Sequence, residues 1–141
     1  MAQRTLGVIG GSGLYGMDGL ERVREHAVDT TFGAPSDAVI EGYLGETRLL
    51  FLPRHGRGHR VPPHEINYRA NVLALKTLGA EQVVSVSAVG SMKESIRPGD
   101  VVCPDQFIDR TRKRASTYFE GLGVVAHVSF ADPVDAALQD A

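Results

Sequence analysis

The sequence predicts an α/β protein built around a sheet with parallel strands. Three segments lead to this prediction. An apolar run at Thr5–Ile9 ends in glycines, a helix pattern extends from Pro63 to about Leu78, and a β-branched run follows it at Gln82–Val89. A helix followed by such a strand is half of a β–α–β unit, which favours a parallel sheet. The 141 residues, 43% hydrophobic and 23% charged, have the size and composition of one globular domain. We expect no internal boundary within residues 1–141, because no linker or repeat interrupts them.

The first strand, Thr5–Ile9, runs into a glycine-rich turn at residues 10–13. The segment Gly11–Gly16 has the GxGxxG spacing of dinucleotide-binding Rossmann proteins. Its context weakens that interpretation, because Gly19 disfavours the helix that the third glycine should open. A turn with exposed amides and the hydroxyl of Ser12 also suits a phosphate anion. A plain turn that needs glycine for its backbone conformation is the simplest alternative.

Two further strands are predicted at about Asp37–Tyr43 and Thr47–Leu52, separated by the turn residue Gly45. The pair is compatible with a hairpin or with a longer connection in a mixed sheet. A last apolar run, Val101–Cys103, follows a Pro-Gly turn and also has a strand-like composition.

The predicted helix begins at Pro63, where the missing backbone donor costs least. Glu65 lies near the positive N-terminal end and Lys76 near the negative C-terminal end, and both placements are favourable with the helix dipole. Apolar residues recur between them at three-to-four spacing, and Gly79 can cap the end.

A second helix is predicted to start at Asp132, its N-cap, with Pro133 in the first helical position and Asp135 in the first turn. The sequence stops at Ala141 without a cap, and Asp140 has the unfavourable sign for a helix C-terminus. We therefore expect this ending to be a cut in a longer polypeptide.

The loop that follows Thr47–Leu52 is the most informative stretch. Arg54–Arg60 contains three arginines and two histidines, interleaved with glycine. Three guanidinium groups would repel a divalent cation, so a metal site at His55 and His59 is disfavoured. They suit an anion instead, because guanidinium matches phosphate geometry with two parallel hydrogen bonds. A solvated basic loop without a ligand is an equally good interpretation of these residues alone.

Small residues, Ser87–Ser91, end the β-branched run and would let a ligand approach the backbone closely. Ser87 and Ser91 offer hydroxyls and Ala88 offers an amide, although an ordinary turn fits equally well. His127 interrupts an apolar stretch and is by default a half-buried histidine. Three loops after three strands, each suited to an anion, form a more specific pattern than any one of them.

Charge and composition exclude several classes of function. The chain has 15 basic and 17 acidic residues, a net charge of −2, so nothing attracts it as a whole to nucleic acid or an anionic membrane. No apolar run is long enough to cross a bilayer. Cys103 is the single cysteine, which excludes an internal disulfide and a CxxC metal site. The expected compartment is the reducing cytoplasm.

An ordered set of segments closely resembles the trimeric purine nucleoside phosphorylases: Gly10–Leu14, Thr31–Ser36, Arg54–Gly56, Asn67–Asn71 and Arg97–Asp100. A further segment, Asp105–Thr111, narrows the resemblance to the methylthioadenosine phosphorylase branch. The match runs from about Leu6 to the end, and family members are about twice as long, so we expect the N-terminal half of one domain. The resemblance implies a three-layer α/β/α sandwich around a mixed, partly barrel-like sheet.

The resemblance also implies an activity, a pentosyl transfer in purine and methionine salvage. Inorganic phosphate, a co-substrate, displaces a purine at the ribose anomeric carbon, with no metal or organic cofactor. The implied phosphate-binding residues are Ser12, Arg54, His55, Ser87 and Ala88. The implied substrate-binding residues are Ser87, Ala88, Val89, Gly90, His59 and His127. No residue of this half is assigned a catalytic role, and a homotrimer is implied because the family residue matching His127 reaches a neighbouring subunit's site.

Some residues depart from the family pattern. Ser12 and Ser87 stand where threonine is common, which preserves the hydroxyl, and Val89 replaces a frequent cysteine in the base pocket. The groups that distinguish 6-amino from 6-oxo purines belong to the second half. Methylthioadenosine, methylthioinosine and unmodified purine nucleosides therefore all stay open as substrates. A non-catalytic nucleotide- or anion-binding fragment is the alternative from another class, and a Rossmann-type protein is a weaker one.

Overall fold

Apolar and glycine-punctuated segments of the first 88 residues form one mixed sheet. The computed structural model describes residues 4–11 and 13–140, and the chain divides into two units, Met1–Ala88 and Val89–Ala141. The strands of the first unit are β1 Thr5–Gly10, β2 Glu21–His26, β3 Val39–Leu44, β4 Thr47–Pro53 and β5 Gln82–Ser85. In the described part of the chain this sheet is open, with the order β2-β3-β4-β1-β5. One α-helix, α1 (Tyr68–Thr77), lies between β4 and β5 in the sequence, and the predicted α/β class is confirmed.

The sheet combines both strand directions. β1 pairs in parallel with β4 on one side and with β5 on the other, which confirms the predicted parallel sheet. β3 pairs antiparallel with β4 through a tight turn at Gly45, where a φ of 58° favours glycine. The connection that the sequence left open between a hairpin and a longer crossover is therefore a hairpin.

Both faces of the central strands are buried. On the face that α1 covers, the core consists of Ile9, Val39, Leu50, Leu52, Ala74 and Leu75. On the opposite face, Ile40, Leu49 and Phe51 pack together, with Leu14 and Leu20 against them. Alternating residues of β3 and β4 thus point to opposite faces, so β1, β4 and their loops rest on a packed support.

The helix predicted from Pro63 to about Leu78 is broken near its start, so its predicted first boundary is wrong. Pro63–Glu65 forms a separate 3-10 turn, and α1 begins only at Tyr68. The cause is Asn67, whose side-chain oxygen accepts a hydrogen bond from the amide of Ala70 at 3.2 Å and caps the helix. At the other end Gly79 has a φ of 94° just beyond the helix, as its predicted capping position requires.

Two strands differ from the prediction. β2 was not predicted, because its sequence is mostly charged and exposed and lacks alternating apolar residues. β5 ends at Ser85 and not at Val89. Its neighbour β1 ends at Gly10. After the amide of Val86 has bonded to Ile9 O at 2.8 Å, the described residues offer β5 no further strand on this side.

The second unit, Val89–Ala141, has few regular elements. In its described part the one helix, α2, spans Ala136–Gln139. Its cap is Asp135, which accepts a hydrogen bond from the amide of Leu138 at 2.9 Å, so the predicted cap at Asp132 is wrong. The run Val101–Cys103 is not a strand. Among the helices of the described residues, none is long and apolar enough to cross a bilayer.

Candidate functional site

The loops singled out by sequence meet at one edge of the sheet. β4, β1 and β5 are adjacent and parallel, so their carboxyl ends lie side by side, as the ladder register requires. The amide of Arg54 donates to Gly10 O at 3.0 Å, which ties the loop after β4 to the end of β1. Ligands of α/β proteins bind in the crevice at the carboxyl edge of the strands. This edge is therefore the candidate site.

Arg54 joins the loops that follow β4 and β5. Its Nη1 donates to the carbonyl of Val86 at 2.8 Å and to Oγ of Ser87 at 2.7 Å. Its Nε donates to Nε2 of His55 at 3.0 Å. The structure thus brings together three of the predicted phosphate-binding residues, Arg54, His55 and Ser87.

The tautomer of His55 follows from its two neighbours. Because Nε2 accepts from Arg54, the ring proton lies on Nδ1, which donates to the carbonyl of Val61 at 2.9 Å. Both ring nitrogens of this neutral histidine are occupied. In this state His55 orients the guanidinium of Arg54 without neutralising the positive charge of that guanidinium.

The three arginines of the loop have different partners. Arg57 forms ion pairs with Glu25 at 2.7 Å and Asp37 at 3.1 Å, and Arg60 pairs with Asp37 at 3.3 Å. Among the described residues, Arg54 has no carboxylate within 4.0 Å. The sequence suggested an anion site from all three cations, whereas the structure leaves the charge of Arg54 alone for a ligand.

Asp37 is the acidic centre of this loop, and its side chain is only 5% exposed. Burial raises the pKa of its carboxyl, but hydrogen bonds from the backbone and side chain of Arg57 and from the amide of Ala38 outweigh that effect. The net pKa is below the usual value, so the carboxylate is charged at neutral pH.

The loop needs unusual backbone conformations. Gly56, Gly58 and His59 have φ values of 68°, 77° and 55°, and such values are rare for a residue like histidine. In this conformation the ring of His59 stacks on that of His55, with centroids 5.1 Å apart. His59, a predicted substrate-binding residue, therefore lies beside the predicted phosphate-binding residues.

The remaining predicted residues are placed as follows. Ser12 lies outside the described residues. Ala88 is exposed at the end of the first unit, directly after Ser87. Val89, Gly90 and His127 belong to the second unit, where all three are exposed, so the half-buried histidine predicted at position 127 is wrong. Their predicted roles toward a substrate stay predictions.

Sequence reasoning missed Asp37 and Glu25 as partners of this loop. An acidic residue at the start of a predicted strand was visible, but the 20 positions between Asp37 and Arg57 hid the pairing. A strand start beside a strongly basic loop is the signal that points to it, because a buried carboxylate requires cations nearby.

The geometry also disfavours the alternative dinucleotide site. After the glycine-rich turn, Leu14–Gly16 is a single 3-10 turn and the chain continues into β2, so no α-helix follows as a Rossmann site requires. In the part of the chain that the structure describes, no three His, Cys, Asp or Glu side chains cluster as a metal site would need.

Comparison with known proteins decides the family. The model of the phosphorylase superfamily matches residues 5–141. The chain belongs to the phosphorylase superfamily. The match confirms the resemblance to nucleoside phosphorylases that the sequence segments indicated.

Individual members of the superfamily are close in sequence and structure. An S-methyl-5'-thioadenosine phosphorylase of Geobacter sulfurreducens is 61% identical over 137 residues, which cover 96% of this chain and 48% of the relative. The enzyme of that name from Hyperthermus butylicus is 59% identical over 91% of this chain and 46% of its own length. The chain spans about half the length of these curated relatives.

Solved structures agree with this relationship. A methylthioadenosine phosphorylase from an antarctic soil metagenomic library has a TM-score of 0.91 and 50% identity, covering 98% of this chain and 48% of that chain. The methylthioadenosine phosphorylase of Schistosoma mansoni in complex with adenine has a TM-score of 0.86 and 40% identity, over 96% of this chain and 48% of that one. The nucleoside phosphorylase fold that the resemblance predicted for this chain is therefore confirmed.

Proposed function

We propose that this chain supplies the phosphate-binding part of an enzyme that cleaves 5′-methylthioadenosine with inorganic phosphate. The observation that carries the proposal is Arg54, which joins the loops after β4 and β5 and has no carboxylate partner in the described chain. A guanidinium held in this way offers its charge to an anion at the sheet edge. The names of the relatives support methylthioadenosine as the nucleoside.

In the proposed reaction a phosphate oxygen forms a bond to C1′ of the ribose while the bond from C1′ to the purine N9 breaks. The bonding electrons leave with the purine, which takes up a proton, and the products are adenine and 5-methylthioribose 1-phosphate. Positive charge develops on the sugar in the transition state, so a phosphate held beneath the ring is both electrostatic partner and nucleophile. No metal or organic cofactor is required.

The residues divide this work between them. Arg54, the hydroxyls of Ser12 and Ser87 and the amide of Ala88 hold the phosphate, and His55 keeps the guanidinium oriented. The nucleoside is bound by three groups of residues. Ser87 and Ala88 contact the ribose, and Ala88, Val89 and Gly90 contact the base. His59 and His127 lie at the 5′ substituent.

The proposal extends to the domain organisation, the assembly and the location of the enzyme. Residues 1–141 form the N-terminal half of a single phosphorylase domain, whose second half recognises the purine. The enzyme is a homotrimer in which His127 reaches a neighbouring site, and it works in the cytoplasm.

Phosphate dependence tests the proposal. The protein, as its gene expresses it, is incubated with methylthioadenosine, methylthioinosine, adenosine or inosine, with and without inorganic phosphate, and the released purine is measured. We expect release that requires phosphate and is fastest with methylthioadenosine. Equal release without phosphate would indicate a hydrolase, and phosphate binding without any turnover would instead favour the non-catalytic anion-binding fragment.

A further inference from the structure

We propose that Asp37 is a positioning residue of this site, because its buried carboxylate fixes the loop that presents Arg54 and His55 to phosphate. The role rests on the proposed phosphorolysis. In the described part of the chain no hydrogen bond or ion pair joins Asp37 to Arg54 or His55; its donors from this loop are Arg57 and Arg60, further along the chain.

The carboxylate is bound from several sides. Oδ2 accepts from the amide of Arg57 at 2.6 Å and from Nη2 of Arg60 at 3.3 Å, while Oδ1 accepts from Nη2 of Arg57 at 3.1 Å. A second donor on Oδ1 is the amide of Ala38 at 2.8 Å. The side chain of Asp37 is 5% exposed, so its oxygens are largely shielded from water and depend on these donors, which restrains the backbone of the loop at Arg57.

This arrangement reaches Arg54 and His55 through the loop's own hydrogen bonds. The amide of Gly56 donates to Pro53 O at 2.9 Å, and the amide of Val61 donates to His55 O at 2.9 Å. The loop is therefore closed on both sides of Arg57, so a displacement of Arg57 moves the backbone that carries Arg54 and His55.

Asp37 is itself held by the helix. The neighbouring Ser36 donates its amide to Oδ1 of Asn71 at 2.8 Å, and Nδ2 of Asn71 donates to Oγ of Ser36 at 3.0 Å. Asn71 is fully buried in α1. Buried hydrogen bonds thus fix Ser36 to the helix, and its chain neighbour Asp37 bonds to the loop through part-buried hydrogen bonds.

Asp37 also determines which arginine is left for a ligand. It neutralises Arg60 and, together with Glu25, Arg57, whereas Arg54 has no acidic partner among the described residues. Without this carboxylate, Arg60 would lose its acidic partner and Arg57 would keep only Glu25, so the two guanidinium groups would repel each other more strongly. An incoming phosphate would then meet competing cations in place of one oriented arginine.

The test is Asp37→Asn in the protein as its gene expresses it, with Glu41→Gln as the matched control. Glu41 is a similarly buried carboxylate on β3, and its partners in the described chain are Arg48, His26 and Tyr43, none of them in the loop. We expect Asp37→Asn to raise KM for phosphate about 10- to 100-fold, the range for misplaced binding groups, with little change in KM for the nucleoside. Glu41→Gln should lower Tm and leave KM for phosphate unchanged.

A second variant keeps the test decisive if Asp37→Asn fails to fold. Arg57→Gln changes an exposed side chain and removes its side-chain hydrogen bonds to Asp37, while the backbone amide at position 57 still donates to Oδ2, so KM for phosphate should rise by a smaller factor. Equal phosphate KM values in the Arg57→Gln and unsubstituted proteins, or a similar change in Glu41→Gln and Asp37→Asn, would overturn the role. Failure of the unsubstituted protein to use phosphate would instead contradict the proposed function.

Discussion

Nη1 of Arg54 donates a hydrogen bond of 2.7 Å to Oγ of Ser87, which lies 33 positions further along the chain. The two residues follow strands β4 and β5, which are separated in the sheet by β1. The bond therefore spans the end of the middle strand. The guanidinium of Arg54 and the hydroxyl of Ser87 are both donors that a small anion at this edge can accept from.

Replacing Arg54 by alanine should slow phosphorolysis strongly. The guanidinium is the cation with no carboxylate partner in the described loop, and its loss removes the charge that holds the nucleophile. We expect transition-state stabilisation to fall by about 2–4 kcal/mol, measured as kcat/KM for phosphate. Arg24→Ala, on the exposed face of β2, is the control, and an equal effect of both substitutions would contradict the role.

Phosphate affinity should depend on the hydroxyl at position 87 more than on the size of the side chain there. Ser87→Ala removes the acceptor for Arg54, whereas Ser87→Thr retains it. We expect the alanine variant to lose roughly 1–3 kcal/mol of phosphate affinity and the threonine variant to be nearly normal. Titration with inorganic phosphate measures both variants, and identical affinities would show that the hydrogen bond is unimportant.

A side chain should be tolerated less well at position 56 than at position 58, because only position 56 is crowded. Both have a positive φ, but a Cβ at Gly56 would lie 3.0 Å from Ser36 O and from Nε of Arg60, while one at Gly58 meets nothing within 4 Å. Gly58→Ala should show only the backbone strain, about 1–2 kcal/mol. Gly56→Ala should destabilise the protein further in thermal unfolding and weaken phosphate binding, and equal behaviour of the two variants would refute the crowding argument.

Acid should destabilise the protein partly through Glu41. Its hydrogen bond from Arg48, opposed by burial and reinforced by His26 and Tyr43, lowers the pKa from 4.5 to about 2. Because the folded pKa is the lower one, the stabilisation is fully present above pH 4.5 and is lost as the pH falls toward 2. The loss is on the order of 3 kcal/mol. Urea unfolding between these pH values should be less pH-dependent in Glu41→Gln, and an unchanged slope would contradict this assignment.

The strands that build the site could be predicted from the sequence because each is a short apolar run bounded by glycine or proline. β1, β3 and β4 lie close to their predicted positions for this reason. β2 could not be predicted, since an edge strand exposed to water carries charged residues and has no apolar face. The start of α1 was missed because the cap at Asn67 competes with the earlier proline signal.

The candidate site was predictable in its position but not in its charge balance. Arg54 and His55 were identified from a basic loop at a strand end, which is a local pattern. The neutralisation of Arg57 and Arg60 depends on Asp37, just before β3, and on Glu25, on β2. Such pairings join residues from 20 to 32 positions apart and exist only once the sheet has formed.

The pairing of two of the three loop arginines has a consequence for turnover. Asp37 and Glu25 leave the five charged side chains of the loop and its partners with a single positive charge. In the proposed reaction the phosphate group that enters as the nucleophile leaves as part of the sugar product, on the same binding groups. Three arginines all oriented on the phosphate group would hold that product tightly and delay its departure, whereas one oriented arginine, with the other two bound to carboxylates, lets the product leave before the next cycle.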